Sequence, residues 1–191
     1  MPARVDRTDD VSIRADLLVA RRAQAYYARQ LRGLSDEQLG EPSEIDDWSR
    51  RRLVAHVALD ARALTRRTEW AATGVFEPMW TSAAERDEIE EYTATLPPQA
   101  LRNLALHTAI HLDVEWRDLA PWAWEEVFTG LDGRPIAFRA TVPARAGLLW
   151  KAALGLGNGG RLADAPDAIR RAIRPASGAC GTLADGRHRL R

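Results

Sequence analysis

The sequence predicts a mainly α protein, an up-down four-helix bundle with a short extended or hairpin excursion before the last bundle helix. Three observations carry this. Apolar residues recur at helical spacing in three long stretches and one shorter one, separated by breaks rich in Gly, Pro, Ser and Asp. Before the last stretch the pattern changes to alternation on both sides of an Asp-Gly pair. The 191 residues are 46% hydrophobic, enough for one domain with a substantial core.

The first helix is expected over Ser12 to Leu34, where Ile13, Leu17, Leu18, Ala20, Ala25, Tyr27, Leu31 and Leu34 recur near helical spacing with arginines between them. Gly33 and the Ser35-Asp36-Glu37 cluster end it, and the loop from Pro42 to Asp47 resets the chain direction. Asp47 or Ser49 is placed to cap a second helix reaching about Thr73. Its buried stripe is Leu53, Val57, Ala61, Leu64 and Thr68, and Gly74 is its stop.

A turn through Pro78 leads to an acidic amphipathic segment, Ala83 to Tyr92, whose charges are expected to face water. Pro97-Pro98 opens a third long helix, since proline suits a first turn and blocks an interior. Leu101, Leu104, Ala105, Ile110, Leu112, Val114 and Leu119 supply its apolar positions. Trp122 to Gly130 and Ile136 to Val142 then flank Asp132-Gly133 as the hairpin or extended crossover. Pro143 begins a short fourth helix, Ala144 to about Leu154, which Gly155, Gly157, Gly159 and Gly160 break; a last helical piece runs from Ala165 to Ile173. Residues 1–175 are read as the bundle. Residues 176–191 show no periodicity and are expected to be a disordered tail.

Basic and acidic residues balance at 27 each, so no global field attracts nucleic acid or an anionic membrane. No run approaches the roughly 18 apolar residues of a membrane span, and the N-terminus lacks a signal-peptide core. A cytoplasmic location is expected. The sole cysteine, Cys180, builds neither a disulfide framework nor a thiolate cage, so any thiol chemistry must use a borrowed thiol. Every basic residue except Lys151 is arginine, as in a GC-rich genome, and an actinobacterial source fits.

His56 is the first candidate for chemistry. An imidazole on the flank of a bundle helix can point between helices as a metal ligand, or it can hydrogen-bond in the core. Asp60, one turn on, is placed either to orient the ring or to sit in solvent. His107, His111 and Glu115 stack at i, i+4 and i+8 on the third helix, a weaker substitute metal cluster for which structural roles are the ordinary reading. Arg50, Arg51 and Arg52 open the second helix against its dipole, which calls for an acidic neighbour, a carboxylate-rich ligand or solvent. The tryptophans are read as core or boundary residues. Neither a phosphate-binding glycine loop nor a Ser/His/Asp arrangement is discernible.

The run Trp48-Ser49-Arg50-Arg51-Arg52-Leu53-Val54-Ala55-His56, followed by Glu69-Trp70-Ala71-Ala72-Thr73-Gly74-Val75-Phe76-Glu77-Pro78-Met79, resembles the mycothiol-dependent maleylpyruvate isomerase family, relatives of DinB-like helical bundles. The resemblance covers roughly Leu17 to Pro166. It implies a DinB-like fold, a divalent zinc-type metal bound by His56, and mycothiol as the borrowed thiol. It also implies a Glu-x-x-x-His on the fourth bundle helix to complete the metal site, and a small C-terminal domain beyond. Here the fourth helix, Leu148-Leu149-Trp150-Lys151-Ala152-Ala153-Leu154, contains neither glutamate nor histidine, which a deletion of about two helical turns would explain.

Two functions follow. One is a mycothiol-dependent, metal-containing enzyme that isomerises maleylpyruvate or transfers the thiol to another small electrophile. The metal would lower the thiol pKa so that a thiolate adds to a cis double bond, permits rotation and leaves. The other is a non-catalytic bundle of the same family that has lost its metal site.

Overall fold

The computed structural model describes residues 5–45, 47–75, 79–130 and 132–173. Pro78, Cys180 and the expected tail, 176–191, therefore lie outside the described residues.

Helix α1 (Val11–Arg32) begins where Asp10 accepts hydrogen bonds from the backbone N–H groups of Ser12 and Ile13. It buries Ile13, Leu17, Ala20, Ala23, Tyr27 and Leu31. Leu18 and Ala25, counted with the apolar stripe from their spacing, are exposed instead. A four-residue helix, α2 (Asp36–Leu39), follows in a capping box between Ser35 and Gln38. It turns the cluster expected only to end α1 into a structured corner that buries Leu39.

Ser49, not Asp47, caps α3 (Arg50–Thr73) by accepting from the Arg52 N–H, and Gly74 closes the helix in the left-handed region at φ 76°. Asp47 itself has φ 63° in the preceding turn, a conformation its short polar side chain tolerates. Helix α4 (Ala83–Ala94) lies along the outside of α3. Helix α5 (Pro98–Asp118) buries Leu101, Ala105, Thr108, Leu112 and Trp116 at regular i, i+3/i+4 spacing.

The excursion is a true hairpin, β1 (Val127–Thr129) against β2 (Pro135–Ala137), with Phe128 opposite Ile136. Short 3₁₀ turns at Pro121–Glu125 and Phe138–Ala140 flank it. Trp124 and Phe138 are fully buried with ring centroids 5.6 Å apart, and Phe128 meets Trp70 of α3 at 6.3 Å. The hairpin therefore plugs one end of the bundle. Helix α6 (Thr141–Gly155) and the short α7 (Asp167–Ile173) complete the fold.

The bundle consists of α1, α3, α5 and α6. Its long pairings are α1 with α6 and α3 with α5, while α3 meets α6 less extensively and α1 meets α5 only loosely. Directions follow from the ends. Arg139, just before α6, reaches Asp10 and Ser12 at the start of α1, and Asn158, just after α6, bonds to Gln30 near the end of α1, so these two helices are parallel. Arg102 at the start of α5 bonds to the Leu31 and Leu34 carbonyls, so α5 runs against α1. Arg145 of α6 meets Asp60, while Gly155 approaches Leu53, so α3 runs against α6. The order is up, down, down, up. The simple alternation expected from the sequence is modified because α4 makes a return journey between α3 and α5.

Candidate functional site

His56 lies on the face of α3 turned toward α4. Its Nδ1 is 2.8 Å from Oε1 of Glu90, a carboxylate only 1% exposed, while the imidazole side chain is 19% exposed. Arg86 places Nε 3.4 Å from the same oxygen, at ion-pair distance but without hydrogen-bond geometry. With Glu90 accepting from Nδ1, a neutral imidazole keeps its lone pair on Nε2.

Trp48 closes the other side of the ring, edge to face at 5.1 Å, and the Arg52 guanidinium stacks over Trp48 at 4.5 Å. Helical spacing places Arg52 and His56 one turn apart on one face, and the chain entering α3 lays Trp48 against both. The Trp48 to His56 run is thus a self-packing unit.

Asp87, Glu88 and Glu91 of the acidic segment face water as expected, but Glu90 does not. Glu90 occupies, with Thr93 and Ala94, the buried stripe of α4 at i, i+3, i+4 spacing. That apolar-type spacing was the available signal for Glu90, which sequence reasoning missed among five neighbouring acids.

The arginines at the start of α3 also differ from both the ligand and the solvent reading. Arg50 donates to the Leu156 and Gln38 carbonyls and pairs with Glu41 at 2.7 Å. Arg51 donates to the carbonyls of Ala94 and Leu96 at the end of α4. Arg52 pairs with Glu91 at 2.6 Å. Two of the three thus serve carbonyls left free where other segments end, which offsets their placement at a helix N-terminus.

Asp60 is paired with Arg145, while the hydrogen bond of His56 goes to Glu90. The Asp60 carboxylate accepts from Arg145 at 2.8 Å, and Arg145 also donates to the Val57 carbonyl. Helix α6 is therefore present on both sides of the His56 level, from Arg145 beside Asp60 to Gly155 beside Leu53. The i, i+4 pair on this stretch of its α3-facing side is Leu148 and Ala152. At the level of His56, α6 thus offers a leucine and an alanine and neither glutamate nor histidine.

His107 and His111 are on the exposed side of α5, opposite its buried stripe. His111 approaches Glu115 at 3.5 Å, and neither histidine is brought to His56. Among the described residues no three His, Cys, Asp or Glu side chains converge as a metal-holding group. The donor set does not fit the three-ligand centre that the resemblance implies.

An up-down-down-up bundle with an end hairpin and a polar histidine site on its second long helix defines the DinB-like class. The family model for the mycothiol maleylpyruvate isomerase N-terminal domain matches residues 20–148, and the chain belongs to that family. Crystal structures of the mycothiol-dependent maleylpyruvate isomerase and of a histidine-to-alanine variant of it are both 36% identical to this chain, with a TM-score of 0.81. Each alignment covers 85% of this chain and 68% of the solved one. No curated protein matches. Among the described residues no helix is long and apolar enough to cross a membrane.

Proposed function

We propose that this protein is a metal-free member of the family, a bundle that binds mycothiol or a mycothiol conjugate of a small electrophile without activating the thiol on a metal. The observation that carries the reading is the leucine and alanine at positions 148 and 152, on the side of α6 turned toward α3. A lone imidazole falls short of the three protein ligands that a catalytic zinc-type centre uses. Glu90 instead holds His56, with Arg86 at ion-pair distance from the same carboxylate. The family supports mycothiol as the ligand.

A second reading keeps the enzyme, a mycothiol-dependent isomerase or thiol transferase with His56 as one metal ligand. The Nδ1 to Glu90 contact favours it, because ligating histidines commonly donate their other ring N–H to a carboxylate. The remaining ligands would have to come from outside the described residues or from another chain. His107 and His111 would not supply them, being exposed on the outer side of α5, and the half-buried Glu115 pairs with His111.

Metal analysis of the protein, purified without chelator or histidine tag and dialysed against zinc, separates the two. The expected content is well below one equivalent and equal in His56→Ala. One equivalent per chain that disappears in His56→Ala overturns the metal-free reading.

A further inference from the structure

On the loosely packed side of the bundle, a groove of about 430 Å³ runs between α1 and α5. Its walls are small or apolar: Ala20, Ala25 and Ala28 on one side, Leu106, Ala109 and Ile110 on the other. Leu106 and Ile110 are 55% and 54% exposed, although their spacing on α5 is that of apolar contact residues. The gap stays open because the helices are tied at both ends. Arg102 bridges to the Leu31 and Leu34 carbonyls at one end, and Arg21 pairs with Asp113 at 2.6 Å at the other.

The inner wall is not apolar. Arg145, only 3% exposed, and Trp116, 4% exposed, both line the groove. Arg145 commits Nη1 to the Val57 carbonyl and Asp60, leaving Nε and Nη2 without a protein partner among the described residues. The buried indole Nε1 of Trp116 likewise has none. A second stretch of the groove, sharing Gln24, Ala28 and Leu106, adds Tyr27, whose buried hydroxyl is also unpartnered. Burial pushes the Tyr27 phenol upward and nearby Arg145 opposes this only in part, so the hydroxyl remains protonated. The Trp116 Nε1 and the Tyr27 hydroxyl are closed off by the atoms around them, so the Arg145 Nε and Nη2 are the donors left to meet a ligand in the groove. The other charges lining the main groove are already engaged: Arg21 with Asp6 and Asp113, and Arg117 with Asp118.

We propose that the α1/α5 groove is a binding site for an anionic amphiphile, with its carboxylate at Arg145 and its apolar body against Ala28, Leu106 and Ile110. The guanidinium donors that Arg145 has free select an acceptor that carries charge, and the exposed apolar walls select the body. The site is separate from the α3/α4/α6 region around His56 and stands or falls independently of the metal question.

Decanoate, titrated into the full chain by calorimetry below its micellar concentration, is the probe, with decanol as its uncharged counterpart. One-to-one binding at least about tenfold tighter for decanoate than for decanol is expected. Arg145→Gln removes the guanidinium and should weaken decanoate about tenfold while leaving decanol unchanged. Ala28→Trp should abolish binding with unchanged circular dichroism, and His56→Ala should leave it intact. No binding, equal affinity for decanol, or full affinity in Ala28→Trp overturns the proposal. So does a dimer that Ala28→Trp dissolves, which would assign the groove to a second copy of the chain.

Discussion

At the scale of single residues, the pairing of His56 with Glu90 explains why a charged side chain sits inside α4. A carboxylate taken out of water needs a partner, and losing one member of such a pair is worse than losing both. Glu90→Ala is expected to cost about 3 kcal/mol in urea denaturation. His56→Ala and the double variant complete a cycle whose coupling energy should be roughly 1–3 kcal/mol. Additive single effects would show that the two side chains are merely neighbours. By contrast the His111 and Glu115 contact, with the imidazole 57% exposed, belongs to the class of surface pairs that contribute little.

At the scale of elements, α6 decides what the site can do. If its turns are all present and only its side chains differ, then Leu148→Glu with Ala152→His should create a zinc site that includes His56. Calorimetry should then find one zinc per chain, absent from the same double variant carrying His56→Ala. No zinc binding would mean that this side of α6 is not presented to His56. The main helices were legible in sequence because each carries a long apolar stripe between recognisable stops: Ser49 and Gly74 bound α3 as their chemistry requires. Helix α2 was hidden because four residues are too few for periodicity, and a capping box is its only signature. Glu90 was hidden for a different reason. An acid at an apolar position reads as solvated unless its partner is known, and His56 is 34 residues away.

At the scale of the whole molecule, the N-terminal segment is fastened to the bundle by charge. Asp6 accepts from Arg21, and this hydrogen bond, more than the arginine's Coulomb field, holds its carboxyl below the ordinary aspartate range. A depressed folded pKa contributes stability above the ordinary value, and that contribution is lost as pH falls through the depressed one. Asp6→Asn should therefore cost about 1 kcal/mol at neutral pH and progressively less in acid. Urea denaturation at a series of pH values checks this, and a penalty that persists undiminished in acid would assign Asp6 a non-ionic role. The up-down-down-up order has a consequence for synthesis. The hydrogen bond from Asn158 to Gln30 spans 128 residues, so α1 meets its main neighbour only after that length of chain has followed it. At ~5–20 residues per second the delay is on the order of ten seconds. For that interval Leu17, Tyr27 and Leu31 wait on the nascent chain without the surface that will cover them: the leading helix of the bundle is among the last to be housed.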